Sequence, residues 1–188
     1  MKKQIVVALL GLAVIGSAQA ADKVFQAPEL SLEVFGVGNM GQDPSAGALI
    51  AEDTFGAGIG GSFFFLEKWG NQVGANVSLW STDWTGVSGS FFDDGRLLLE
   101  VRRPVLNSGV AIGAFIGVGY TFENDDRYET FGGKLSFRTS ENWEFWTRIG
   151  YKTDSISGGL GANRSFDGHG FGEVGFSIIP RFWQSSGK

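Results

Sequence analysis

The sequence has no cysteine, a single histidine and, past residue 20, no uninterrupted apolar run long enough for a membrane-spanning helix. Without cysteine there is no disulfide framework. Stability has to come from an extensive hydrogen-bond network or a large core. Without a long apolar run, a helical membrane protein is excluded. A membrane barrel is not, because alternation of apolar and polar residues hides its hydrophobicity from any window average. Basic residues are also scarce: 15 Lys and Arg stand against 20 Asp and Glu, a net charge of −5, which argues against a nucleic-acid partner. Glycine is plentiful, 30 residues, but has no collagen-like triplet period.

Residues 1–20 read as a secretory signal peptide. Lys2 and Lys3 supply the positive start, Ile5–Ile15 the apolar centre, and Ala18-Gln19-Ala20 the small-residue cleavage site. The apolar run is short for an anchor. Cleavage leaves residues 21–188 as one domain. Losing Lys2 and Lys3 takes the charge from −5 to −7.

The remaining chain is organised around Val110–Phe122, VAIGAFIGVGYTF. Val110, Ile112, Ala114, Ile116, Val118, Tyr120 and Phe122 are apolar or aromatic, and the positions between them are mostly small. This is the period of a strand with two unlike faces. Gly113 and Gly117 form a GxxxG, which can mark packed membrane helices. A spanning helix needs about 20 apolar residues, however, and a tilted barrel strand only about 9–11. Similar alternation predicts eight strands, at 30–39, 54–66, 72–80, 96–105, 110–122, 130–139, 143–152 and 169–182. In the second strand Phe64 interrupts a tiny face of Gly56, Gly58, Gly60 and Ser62. The connections are expected to alternate long and short, with every short one at the same end. The expected fold class is therefore all-β: an eight-stranded antiparallel up-and-down transmembrane β-barrel. An even number of strands puts both termini on the tight-turn side.

The apolar face carries almost no charge, Arg103 near a strand end being the exception. Aromatic residues collect at strand ends: Trp69, Phe137, Trp143, Phe145 and Phe182 on the turn side, Tyr120, Phe122, Phe131 and Tyr151 on the loop side. Two such girdles suit the two interfaces of a bilayer. A soluble barrel would instead hold its large residues inside. The opposite face carries Glu33, Glu100, Arg102, Lys134, Arg138, Glu144, Arg148 and Glu173, four acids and four bases. An eight-stranded barrel is just wide enough for side chains to fill, so this set is expected to form a balanced hydrogen-bonded network, with Arg138 and Glu144 paired across a tight turn. The alternative is a narrow ion path lined by the same groups.

The signal peptide, eight alternating strands, girdles and charged interior resemble the small eight-stranded outer-membrane β-barrels of the OmpA transmembrane-domain and OmpX type. The resemblance spans Leu30 to Phe182. Val174, Phe176, Ile178 and Phe182 share one parity and end in an aromatic, like the C-terminal signal read by the outer-membrane assembly machinery. Six residues, Trp183–Lys188, follow where the family usually stops. The resemblance implies the outer membrane of a Gram-negative bacterium, reached by secretion across the inner membrane, with a monomer surrounded by outer-membrane lipids and lipopolysaccharide. It implies a role in envelope integrity, adhesion or limited passage of small solutes, with no cofactor.

Two other functional classes remain to be weighed. Outer-membrane barrels that modify lipid A use Ser, His and an acid. Here His169 has Glu173 on its parity and Ser165 and Ser177 nearby, but the sequence reads His169-Gly170-Phe171 and lacks an H-x-S. A soluble periplasmic lipocalin-type barrel would bind an apolar ligand. The acidic loops, with Asp93, Asp94, Asp125 and Asp126 against Arg127 and Arg164, fit no EF-hand spacing, and no metal site is expected. Ser157–Asn163, SGGLGAN, lacks the lysine of a phosphate loop.

Overall fold

A computed structural model describes residues 25, 27–40, 54–81, 92–105, 109–122, 125–153 and 168–180. Residues 1–24, the expected signal peptide among them, residues 154–167 and the segment from Arg181 onward, Phe182 included, lie outside the described residues. The strands are β1 (Glu29–Met40), β2 (Thr54–Lys68), β3 (Asn71–Ser81), β4 (Asp94–Val105), β5 (Val110–Thr121), β6 (Asp126–Ser140), β7 (Trp143–Thr153) and β8 (Gly168–Ile178). Each pairs antiparallel with the next, and β8 closes on β1 over Leu32↔Ile178 to Met40↔Gly170. The result is a closed eight-stranded up-and-down barrel, as the alternation predicts.

Four details depart from the sequence reading. The stretch from Asp126 to Glu129, expected as loop, is the start of β6: Asp126 pairs with Thr121, and Tyr128 and Thr130 point inward. The period of two simply continues beneath a polar composition. The β5–β6 connection is thereby only residues 122–125, with Asp125 in the left-handed region (φ 58°), which Asp tolerates better than most residues. The expected alternation of long and short connections fails at this point. In β2, Phe64 does not break the inner face but continues it, 1% exposed. A bulge between Phe64 and Leu66 turns Phe65 and Leu66 outward together, at 49% and 47% exposed. Finally, β8 stops at Ile178: the Ile179 N–H donates to Asn142 O at 2.9 Å, and Pro180 has no N–H to continue a ladder.

The tight turn after β2 consists of Trp69 and Gly70, both at positive φ (54° and 73°), as a two-residue hairpin of the right twist demands. Inside the barrel, rings lie over glycines on the neighbouring strand. Phe35 pairs with Gly58, Phe115 with Gly132, Tyr128 with Gly119, Trp146 with Gly175 and Phe171 with Gly150. A Cβ at any of these glycines would come within 2.0–2.7 Å of the partner ring. One such glycine stands on each of β2, β5, β6, β7 and β8, leaving the space that a ring of the adjoining strand fills.

Candidate functional site

All eight charged residues expected on the inner face project into the lumen and are buried. Strand alternation places them, and they meet in tiers. On the turn side, Arg138 and Arg102 converge on Glu29 and Glu144. Arg138 Nη1 donates to Glu29 Oε2 at 2.7 Å and its Nη2 to Glu144 Oε2 at 2.9 Å. Arg102 Nη2 donates to Glu29 Oε1 at 2.6 Å and its Nε to Gln72 Oε1 at 2.7 Å. The Arg102 guanidinium lies 3.6 Å from the centroid of the Phe64 ring, and the Phe25 ring sits 4.3 Å from Arg138 and 4.8 Å from Arg102. Arg138 and Glu144 are also direct register partners across the β6–β7 turn.

The middle tier surrounds Glu33. Ser62 Oγ and Asn76 Nδ2 donate to its two oxygens at 2.7 and 2.9 Å, and Arg148 Nη2 and Lys134 Nζ approach at 3.1 and 3.3 Å. Glu100 receives Arg148 Nη2 at 2.6 Å and Lys134 Nζ at 3.3 Å, while Trp146 underlies Arg148 at 4.2 Å. Above it, Arg96 Nη2 donates to Glu173 Oε2 at 2.6 Å and Arg96 Nε to Ser78 Oγ at 2.9 Å. At the loop-side rim Lys152 Nζ meets Asp94 Oδ1 at 3.3 Å, with the Tyr128 ring 4.0 Å from the ammonium. Two apolar clusters, Phe35, Val37, Trp80, Tyr128 and Trp146, and Leu98, Phe115 and Phe171, are buried among these charges.

Many of these pairs cross the bore rather than run along the wall. Arg96 on β4 reaches Glu173 on β8, diametrically opposite; Glu29 on β1 is held from β4 and β6; Arg148 on β7 joins β1, β4 and β8. Four members of the network, Glu29, Arg96, Asp94 and Lys152, escaped the sequence reading. Glu29 lies one residue before the expected start of the first strand at residue 30, although it shares the parity of Glu33, and Arg96 and Lys152 share those of Glu100 and Arg148.

Glu173 is held by Arg96 and Arg148, and Ser177 Oγ accepts Trp146 Nε1–H at 3.0 Å, so both side chains are committed to the interior packing. Asp93 accepts Ser81 Oγ–H at 2.9 Å, and Asp94 accepts Thr121 Oγ1–H at 2.9 Å. Among the described residues no cluster of three carboxylates or imidazoles could hold a metal ion.

The outer face is the reverse of the lumen. Ile149 is 69% exposed, whereas its neighbour Arg148 is fully buried. The same inversion holds for Leu97, Leu99 and Val101 against Leu98, Glu100 and Arg102. Strands of 11–15 residues, at ~3.3 Å per residue and ~40° tilt, cover ~28 Å or more, enough for the ~25 Å apolar band of such barrels. Phe131 stacks near Tyr151 and Tyr120 near Phe122 on the loop side, and Trp143 near Phe176 on the turn side. Water-soluble barrels do not expose a belt of isoleucine, leucine and valine around buried arginines. The barrel is built to span a bilayer.

No protein-family profile and no curated protein matches the chain. Solved structures are similar in fold. The N-terminal β-barrel domain of Pseudomonas aeruginosa OprF is 12% identical, with a TM-score of 0.47, covering 81% of this chain and 98% of that one. Ail, the attachment invasion locus protein of Yersinia pestis, is 12% identical, with a TM-score of 0.49, covering 82% of this chain and 100% of that one.

Proposed function

We propose that the chain is a non-enzymatic integral outer-membrane barrel of the Gram-negative envelope, with a closed bore and a structural or adhesive role. The observation that carries this reading is the inverted distribution of charge. Five carboxylates and five cations lie inside, buried and tied across the lumen, while aliphatic side chains face out. Among the described residues these charges are paired across the bore, an arrangement that opposes passage of a hydrated ion. The bore acts as a rigid strut, and function resides in what the two rims and the outer wall present to lipid, lipopolysaccharide and other cells. The outward row Val174, Phe176 and Ile178, with Phe182 beyond the described residues, is the segment we assign to recognition by the assembly machinery.

Fractionation tests this reading directly. The protein is expected in the outer-membrane fraction, migrating faster before boiling than after it. Recovery in the soluble periplasmic fraction would favour a lipocalin-type barrel instead. Lipid A of unchanged acylation in cells with and without the protein is the expected result for a non-enzyme; a difference abolished by His169→Ala would overturn that part.

A further inference from the structure

The outer wall is uniform in hydrophobicity but not in charge. At the turn side it carries two cations on strands separated by one other, Lys68 at the end of β2 and Arg103 near the end of β4, both exposed. Lys68 pairs with Asn71, and the following residue, Gln72, pairs with Arg102. Arg103 therefore continues the same outward rung two strands away, with backbones separated by ~10 Å. Glu67 and Gln72 turn to the mouth of the barrel, where Gln72 Nε2 donates to Glu67 Oε2 at 3.2 Å. Among the described residues no carboxylate forms an ion pair with Lys68 or Arg103. Beside them Trp69 is 82% exposed, with Lys68 Nζ 4.4 Å from its ring, and toward the membrane centre the rung borders on exposed Leu66 and Val101.

Among the described residues the rest of the wall lacks this combination. At the turn-side border of β7 and β8 the outward side chains are Trp143, Phe145, Phe176 and Ile178. On the loop side, the outward cation Arg127 shares its strand face with Glu129. We propose that the β2–β4 arc of the turn-side rim binds the anionic headgroup of a glycerophospholipid in the periplasmic leaflet. A phosphate meets the Arg103 guanidinium through paired N–H donors and the Lys68 ammonium as a point charge. The Trp69 ring lies at the glycerol level, and the acyl chains run along Leu66, Val73 and Val101. The proposal rests on the membrane-spanning reading above.

The test reconstitutes the refolded full-length barrel in phosphatidylcholine vesicles with trace spin-labelled phosphatidylglycerol or spin-labelled phosphatidylcholine. The motionally restricted fraction of each lipid is then compared. Basic groups near a bilayer enrich anionic lipid by roughly fivefold each, so a preference for phosphatidylglycerol of about threefold or more is expected, weakening at 1 M salt. The double variant Lys68→Gln/Arg103→Gln is expected to lose it while still shifting on boiling, and Arg127→Gln to keep it. Equal restriction of the two lipids by the wild type, or a preference that survives the double variant or vanishes in Arg127→Gln, overturns the proposal. Absence of any restricted component, for either lipid, would instead defeat the spanning reading itself.

Discussion

Arg148 is the residue on which the interior depends most. It is fully buried and touches Glu33, Glu100 and Glu173 on three different strands. Removing one partner of a buried ion pair leaves uncompensated charge, which costs about 3–5 kcal/mol. Arg148→Ala takes one cation from three carboxylates, which keep Lys134 (Glu33 and Glu100) and Arg96 (Glu173), and urea titration of the refolded barrel in lipid should show a loss within that range. Replacing Glu100 together with Arg148 by apolar residues of similar volume should cost markedly less than the two single losses summed. The glycines give a second residue-scale expectation. A Cβ at Gly119 would stand 2.0 Å from the Tyr128 ring, whereas one at the outward Gly133 would meet nothing nearer than 3.8 Å. Gly119→Ala should therefore cost about 1–3 kcal/mol by overpacking, and Gly133→Ala should stay within about 0.5 kcal/mol.

For single elements, depth in the membrane decides what a substitution does. Ile116, midway along β5, is 62% exposed on the outer wall. Ile116→Arg should destabilise the barrel by about 2–4 kcal/mol, although the natural Arg103, two residues from the end of β4, is accommodated. On β8, Phe176→Asp interrupts the outward row Val174, Phe176 and Ile178, and the expected outcome is loss of outer-membrane assembly, read as protein that no longer resists unfolding in detergent before boiling. The elements also show what could be read from sequence. Each strand was visible because period-two alternation persists through most of it, and the inward parity of Glu33, Glu100 or Arg148 followed at once. At the start of β6 the composition of Asp126–Glu129 is that of a polar loop, while the period of two runs unbroken through Tyr128 and Thr130. Phe64 looked like an exception only because the bulge that follows it was invisible without the partner strand. Which charge meets which across the lumen, such as Arg96 with Glu173, depends on strand stagger and bore width, and no single strand encodes these.

As a whole molecule the chain is an inside-out barrel: a cross-braced polar interior, a wall of aliphatic side chains and aromatic rings toward both borders. The pairs that span the bore do more than neutralise charge. They connect strands that share no hydrogen-bonded ladder, so β1, β4, β6, β7 and β8 are held to one another from within as well as around the circumference. A barrel braced in this way has little freedom to open a path without breaking several buried pairs together. Planar-bilayer conductance of the refolded protein, after a gel shift on boiling has established the folded state, addresses this point most directly. A silent bilayer is expected for the wild type. Reproducible conductance steps whose size changes on substitution of Glu100, Arg102 or Arg148 would contradict a closed bore and make the charged interior a pore lining.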